Sequence, residues 1–336
     1  MSRLTQFGND LYTGQRSFDF VGRRNTWYLI AAIFVLLAIG LTALRGGFVF
    51  GIEFRGGSEF RVQSTSVVEQ STAAATEIAD EAVSSVVPGA NPRVSIVGGD
   101  SIRVQTEQLT PTETDEVRAA LAEAYGVAES DISSSFIGAT WGADITRQAL
   151  IALVVFLILA SLVLAVYFRT WKMSVAALIA LFHDLVVTAG VYGVFGLEIT
   201  PAAVIGFLTI LGYSLYDTVV VFDKVRENTN EDGVESRRTF AQSVNLAVNQ
   251  TLVRSINTSI VAVLPTASIL LIGSLLLGAG TLRDIALALT VGTIVGTYSS
   301  IFLAAPLYVH LRQNELEVRK QGTRPRVART ESGAVR

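Results

Sequence analysis

The sequence of 336 residues contains no cysteine, which excludes disulfide bonds and thiol chemistry. Its two histidines, His183 and His310, are too few for a histidine-based metal site. No glycine pattern of the Walker or dinucleotide-binding type occurs, so nucleotide hydrolysis is not the expected energy source. Charged residues make up only 16% of the chain, and its net charge of −3 gives no indication of a nucleic-acid partner. We therefore expect no enzyme activity, no cofactor, no metal and no bound nucleic acid.

Apolar residues are abundant instead. They form 50% of the chain and raise its mean hydropathy to +0.48, which is typical of a polytopic membrane protein. The first apolar run is too long for the core of a signal peptide and no small-residue cleavage site follows it, so we interpret it as a retained anchor. We predict six transmembrane helices, the last five forming a bundle over residues 143–311. The runs cover residues 27–45, 148–168, 173–195, 200–222, 252–277 and 285–311.

Basic residues distinguish the two sides of the membrane. They concentrate in residues 1–26, in the loops after the second and fourth runs, and in the tail at residues 312–336. The short loops on the other side contain only Arg283. Because cytoplasmic loops are enriched in lysine and arginine, this asymmetry predicts that both termini are cytoplasmic and that residues 46–142 lie outside.

Residues 46–142 have the pattern of a small water-soluble domain. Apolar and polar residues alternate over 58–65, 93–97, 101–106 and 131–136, which predicts four strands, with helices over 68–86 and 112–125. A tight turn is expected at Gly98–Asp100, and Thr112 is expected to open the second helix, with Asp115 three residues later. The order βαββαβ predicts a ferredoxin-like α+β domain with one face free for a partner, and its scattered acids form no catalytic group.

The fourth apolar run contains Asp217, which lies on the order of 9 Å deeper along a helix than Asp223. A carboxylate at that depth is costly in lipid, so it should face the bundle interior, a partner charge or a water path. Residues on the same helical face are polar or small, and they include Ser214, Tyr213 and Thr209. Asp217 is either a structural group bonded to a neighbouring helix or part of a proton or ion pathway.

Other polar residues occur inside the apolar runs. His183 and Asp184 lie in the middle of the third run, as a side branch of a proton relay or as an interior hydrogen-bonded pair. Arg254 opens the fifth run together with Asn257 and Thr258. Its side chain either extends to the membrane interface or is carried into the bundle beside the fourth run.

Two further patterns concern packing rather than chemistry. Gly292 and Gly296 in the sixth run form a small-residue face that favours close helix packing. Phe240, Val244 and Leu246–Val248 make the loop between the fourth and fifth runs amphipathic, and we expect this segment to lie at the membrane surface.

Three motifs resemble the SecF family of the bacterial Sec protein-export machinery, which groups with the resistance-nodulation-division transporters. The motifs are GIEFRGG at 51–57, LGYSLYDTVVVFDKVREN at 211–228 and TLVRSINTS at 251–259. The resemblance covers essentially the whole chain: one anchor, one outer domain and five further spans. The chain departs from the family pattern at Glu53, where aspartate is usual, and at Tyr216, where many relatives have asparagine.

The resemblance implies a subunit of the cytoplasmic membrane that pairs with SecD and associates with the SecYEG channel, for which SecA is the motor. The proton-motive force would then help to draw preproteins outward, with Asp217 and Arg254 on the proton path. Gly51, Glu53, Gly56 and Gly57 would form either a hinge to the outer domain or a simple turn before its first strand. The alternatives are a scaffold subunit that transduces no energy, an exporter of small molecules and, with least support, an intramembrane hydrolase.

Overall fold

The computed structural model describes residues 3–63, 72–97, 101–231, 238–275 and 280–315, and every structural statement below concerns these residues. Six of its helices are long and apolar enough to cross a membrane. We call them spans one to six, and span six continues from its α-helix through a π-helical turn into a last α-helical segment. Spans one to five are Arg24–Leu44, Ala139–Phe168, Trp171–Phe195, Pro201–Glu231 and Phe240–Leu275, and span six comprises Gly280–Tyr298, Ser299–Ala304 and Ala305–Arg312.

The helices extend beyond the apolar runs. Span two begins at Ala139 and span five at Phe240, several residues before the predicted apolar runs. The polar first turns of both helices contain no proline, and Gly142 is the one glycine among them, so the helix continues through them. The last two residues of the predicted fifth run and the tail from residue 316 lie outside the described residues.

Spans three, four and six form the centre of the bundle. The apolar windows of these three helices are 56%, 44% and 44% buried within the chain, against 6% for span two and 11% for span five. Span one packs against span three at glycines: a Cβ atom at Gly190 would lie 2.2 Å from Ala38 Cβ, and one at Gly193 would lie 2.2 Å from Thr42 Oγ1. Two residues with no side chain thus allow close approach of the two helices.

Residues 240–253 pack their apolar face against other parts of the chain, whereas a segment lying at the membrane surface would turn this face towards lipid. They form the first turns of span five, and Phe240, Val244 and Val248 are buried in an apolar cluster with Leu11 and Tyr308. The reason is a partner that the amphipathic pattern does not identify: an N-terminal helix, Arg3–Tyr12, and the chain that follows it cover this face. Asn249 of span five fixes that chain, because its Oδ1 accepts the backbone N–H of Phe18 at 2.8 Å.

Strand β1, Val49–Phe50, precedes the inserted domain between spans one and two. The domain contains β2 Gly57–Gln63, β3 Arg93–Val97, β4 Ser101–Thr106 and β5 Ile132–Ile137. These four strands form one sheet with the order β3-β4-β2-β5, in which all neighbours are antiparallel. Phe60 and Val62 of β2 and Val104 of β4 are completely buried against two helices on one face of the sheet. The hydroxyl of Tyr125 in the second helix donates to Ala75 O of the first at 2.7 Å, and burial raises the pKa of Tyr125 to about 12. The two helices are Thr72–Val86 and Pro111–Tyr125.

The second helix of the inserted domain begins earlier than predicted. Thr110, not Thr112, caps it: Thr110 Oγ1 accepts the Glu113 N–H at 3.3 Å, and the Glu113 carboxylate accepts the Thr110 N–H at 2.7 Å. Pro111 occupies the first helical position, where its missing N–H costs nothing. The predicted turn at 98–100 and the predicted start of the first helix at 68 lie outside the described residues.

Candidate functional site

Asp217 lies in the centre of the bundle and is only 5% exposed. Its Oδ1 atom accepts a hydrogen bond of 2.8 Å from Ser255 Oγ of span five. Its Oδ2 atom is buried and accepts no hydrogen bond from the described residues. Beside it, the hydroxyls of Thr218 on span four and Ser300 on span six are 3.0 Å apart. Spans four, five and six therefore meet at this carboxyl group.

Arg254 forms no ion pair with Asp217 among the described residues. Its side chain is on the exposed face of span five, although its positive charge is near enough to act on Asp217. The next residue, Ser255, contacts Asp217 instead, because consecutive residues of an α-helix point about 100° apart. Asn257 and Thr258 are also exposed, so the polar residues at the start of the predicted fifth run line the outside of this chain.

Asp184 of span three is a second buried carboxyl group, and it is completely inaccessible to solvent. Its Oδ2 atom accepts hydrogen bonds from Ser214 Oγ at 2.5 Å and from Ser299 Oγ at 2.7 Å. Its Oδ1 atom lies 3.2 Å from Nδ1 of His183. Asp184 thus joins spans three, four and six, as expected of the interior hydrogen-bonded alternative.

The π-helical turn of span six brings its two serines to two different sites. Ser299 bonds Asp184, while its neighbour Ser300 faces Thr218 and Asp217. Both hydroxyls also donate to the carbonyl oxygen of Gly296, at 3.1 and 2.8 Å, as serine hydroxyls inside helices commonly do to a carbonyl three or four residues earlier. Sequence reasoning missed Ser255, Ser299 and Ser300, and only the polar stripe around Asp217 indicated that hydroxyl groups belong to this region.

The predicted close packing at Gly292 and Gly296 is confirmed. A Cβ atom at Gly292 would lie 2.3 Å from Ile210 Cγ1, and one at Gly296 would lie 3.1 Å from Ser214 Cβ. Spans four and six therefore approach closely along the face that carries Ser214 and Asp217. Tyr213, also predicted to belong to this polar stripe, is half-buried, and its hydroxyl has no hydrogen-bond partner among the described residues.

The linker at residues 51–57 is folded against the bundle. It is preceded by β1, Val49–Phe50, which pairs in parallel with β6, Glu198–Ile199, in the connection between spans three and four. The Gly51 N–H donates to Ile199 O at 3.0 Å, and Ile52–Arg55 forms one helical turn. A Cβ atom at Gly57, where φ is 146°, would lie 2.5 Å from Thr106 O, so this position requires glycine.

Glu53 in this linker is a half-buried acid outside the spans. Its Oε2 atom is buried and has no hydrogen-bond partner among the described residues. Burial raises the pKa of Glu53 above its ordinary value, and the charges of Glu59 and Glu198 act in the same direction, against the opposing charge of Arg103. Within the described part of the chain, no group of three or more His, Cys, Asp or Glu side chains is arranged to hold a metal ion.

Six membrane-length helices, with a small domain inserted after the first and buried carboxyl groups at the centre, define a polytopic membrane protein with an intramembrane polar site. The family model described as protein export membrane protein SecD/SecF, C-terminal, matches residues 116–314. The protein translocase subunit SecF of Mycobacterium tuberculosis is 45% identical over 98% of this chain and 74% of its own length. The SecF of Streptomyces coelicolor is 40% identical over 99% of this chain and 87% of its own length. The chain belongs to the SecF family, and it is a multi-pass protein of the bacterial cytoplasmic membrane.

Solved structures give the same relationship. The crystal structure of SecDF, a translocon-associated membrane protein from Thermus thermophilus, matches 89% of this chain with a TM-score of 0.76 and 29% identity. SecDF in its super-membrane-facing form matches 92% of this chain with a TM-score of 0.61 and 28% identity. The chain spans about two-fifths of each SecDF chain, 39% and 40%.

Proposed function

We propose that this chain couples the proton-motive force to preprotein export, as a subunit that acts with SecD beside the SecYEG channel and its motor SecA. The observation that carries the proposal is the environment of Asp217: a buried carboxyl group in which Oδ2 accepts no hydrogen bond, and no cation makes contact, among the described residues. A buried charge without a partner costs several kcal/mol, so binding and release of a proton at this group changes the energy of the bundle. A proton that crosses the membrane supplies roughly 2.3 kcal/mol per 100 mV.

The hydroxyl groups around Asp217 give protonation a structural effect. A protonated carboxyl group gains one O–H donor, and the Ser300 hydroxyl is its neighbour on span six. A new bond there would compete with the present contact between Thr218 and Ser300 at 3.0 Å. The positions of spans four and six would then depend on the proton. The linker beside β6 would transmit this change to the inserted domain, and no covalent chemistry by this chain is required.

The exposed polar face of span five supports a SecD-like partner. Asn257 and Thr258 lie three and four residues after Arg254, so the three exposed side chains form one polar stripe on span five. Arginine and asparagine inside a membrane are costly against lipid, whereas a second bundle that covers this stripe would remove that cost. In the assembled pair, Arg254 would then face the same interior as Asp217.

For the inserted domain we propose a ferredoxin-like fold on the outer side of the membrane, with both termini in the cytoplasm. Its order of strands and helices and its strand order β3-β4-β2-β5 support the fold. The excess of basic residues at the opposite end of the bundle supports the orientation.

The test is Asp217→Asn, which keeps the shape of the side chain and removes its titration. Vesicles that contain this chain, its SecD partner and the channel should keep ATP-driven export but lose the part that an uncoupler abolishes. The matched control is Asp223→Asn on the same helix, where the carboxylate bonds the exposed Tyr167 hydroxyl at 2.8 Å. Uncoupler-sensitive export by the Asp217 variant at the level of the control would refute the proposal.

A scaffold that transduces no energy is the second candidate, and the surroundings of Asp184 favour it. Both oxygen atoms of the Asp184 carboxyl group have hydrogen-bond partners, which come from three helices, as expected of a structural group. If Asp217 is also structural, Asp217→Asn should weaken co-purification with SecD, and the double change with Arg254→Gln should restore it because no lone charge remains. If Asp217 carries a proton, co-purification persists in the single variant, and the double variant does not regain export.

A further inference from the structure

A cavity of about 450 Å³ separates the inserted domain from the end of the bundle that carries it. One wall is the sheet face of β3 and β4, with Arg93 and Arg103. The other wall is formed by the end of span one, with Arg45, the end of span three, with Gly196, and the start of span six, with Arg283. Four arginines therefore converge from separate parts of the chain.

The acids of this cavity neutralise only part of that charge. Glu198 is occupied by Arg103, with Nη2 and Oε2 2.8 Å apart, and Asp284 accepts the Thr200 hydroxyl at 2.7 Å. The lining keeps an excess of two positive charges. The side chains of Arg45, Arg93 and Arg283 make no hydrogen bond and no ion pair within 4.0 Å with another described residue, although the charge of Arg283 acts on Asp284. Their guanidinium groups are therefore open to a ligand.

The shape of the backbone keeps this space open. Arg45 follows span one and extends over the end of span three, where a Cβ atom at Gly196 would lie only 2.9 Å from Arg45 Nη1. Gly196 ends span three in the left-handed conformation, with φ of 64°. The absence of a side chain at Gly196 lets the guanidinium group of Arg45 lie over the end of span three.

We propose that this cavity binds a phosphate-bearing anion, the headgroup of an anionic phospholipid such as phosphatidylglycerol. Guanidinium groups match phosphate oxygens in geometry and charge. The position favours a lipid as the source of the phosphate, because the cavity lies where spans one, three and six end, at the depth of the headgroups. A bound lipid would bridge the inserted domain and the bundle, and would stabilise their docked arrangement. This inference is independent of the proton-coupling proposal.

The experiment measures the unfolding temperature of the purified full chain in neutral detergent by tryptophan fluorescence. Three probes are titrated separately: short-chain phosphatidylglycerol, short-chain phosphatidylcholine and inorganic phosphate. We expect phosphatidylglycerol to raise the unfolding temperature in a saturable way, because a ligand that binds only the folded state stabilises it. The double variant Arg45→Gln with Arg283→Gln should need about tenfold more phosphatidylglycerol for half of the effect.

The control removes the same charge at the same end of the bundle. Arg55→Gln with Arg147→Gln changes two exposed arginines that do not line the cavity, and it should respond like the wild type. Arg93→Gln, on an exposed strand outside the spans, repeats the test if the first double variant does not fold. An unchanged response of the cavity variants, or an equal response to phosphatidylcholine, would overturn the proposal. An equal shift with inorganic phosphate at the same concentrations would overturn the assignment to a lipid.

Discussion

Ser255 holds Asp217 from span five, because its hydroxyl donates a hydrogen bond of 2.8 Å to Asp217 Oδ1. Ser255→Ala removes this donor from the carboxyl group of Asp217. We expect the free energy of unfolding in a detergent titration to fall by about 1 kcal/mol, since hydrogen bonds between membrane helices average near this size. Ser268→Ala is the matched control on the same helix, because its exposed hydroxyl bonds only the backbone at Leu264. Equal losses in the two variants would show that the bond to Asp217 has no energetic role.

The burial of Glu53 predicts that the stability of the chain falls as the pH rises, which is opposite to the effect of most acids in folded proteins. The folded pKa of Glu53 is raised by burial, so the folded state binds the proton more tightly than the unfolded state does. Its contribution to stability is complete below the ordinary pKa of glutamate and is lost as the pH rises through the raised value. Glu53→Gln should abolish that decline, measured as unfolding temperature between about pH 4 and 8.

Glu113 provides the opposite control for this measurement. Hydrogen bonds from the backbone and side chain of Thr110 lower the pKa of Glu113, so its contribution is present above the ordinary pKa of glutamate and is lost on acidification. Glu113→Gln should therefore reduce stability at neutral pH, where Glu53→Gln does not. A decline with rising pH that persists in Glu53→Gln would assign the decline to a group other than Glu53.

The depth of Asp217 could be predicted from residues alone, but its contacts could not. Apolar sequence on both sides of a carboxylate indicates burial in any helical bundle. The contact with Ser255 depends on the rotation of span five, and a change of one residue turns the helix by about 100°. The motif therefore suggested Arg254 as the partner, while the adjacent serine occupies that position within this chain.

Among the elements, the contact between spans four and six depends on glycines of span six. Gly292→Ala would place a methyl group 2.3 Å from Ile210 Cγ1, which forces the two helices apart. We expect a loss of about 1–3 kcal/mol in the free energy of unfolding, as for other overpacked cores. Gly212→Ala on span four is the control, because a Cβ atom there would meet nothing within 4 Å. That variant should be neutral or slightly stabilising, since alanine favours helix by up to about 1 kcal/mol.

The π-helical turn of span six could not be predicted, for a physical reason. An apolar run gives the same hydropathy whether its hydrogen bonds follow the α or the π pattern. The turn follows Tyr298 and supplies two adjacent serines, Ser299 and Ser300, to sites on different helices. Adjacent residues of a regular α-helix point about 100° apart. The close packing of Gly296 against Ser214 brings this part of span six up to span four, where Ser299 and Ser300 find their partners.

At the scale of the whole molecule, hydropathy and alternation predicted most of the architecture. Six apolar runs and four alternating strands correspond to the six spans and to β2–β5. The differences occur at the surfaces where elements meet. The start of span five was expected on the membrane, and the pairing of β1 with β6 was not expected at all, because both depend on segments that are distant in sequence. Local patterns determine which elements form, and packing determines what each element covers.

The absence of cysteine makes the proposed orientation of the whole chain directly testable. Single cysteines can be introduced at exposed positions without removing native thiols: Thr13→Cys near the N-terminal helix, Ser130→Cys in the inserted domain and Asn314→Cys after span six. In intact cells stripped of any outer membrane, a membrane-impermeant maleimide should label Ser130→Cys alone, because its negative charge prevents passage through lipid. The two other variants should be labelled only after lysis, which also controls for their reactivity. Labelling of Thr13→Cys before lysis, with Ser130→Cys protected, would reverse the orientation and place the excess of basic residues on the outer side, against their ordinary distribution.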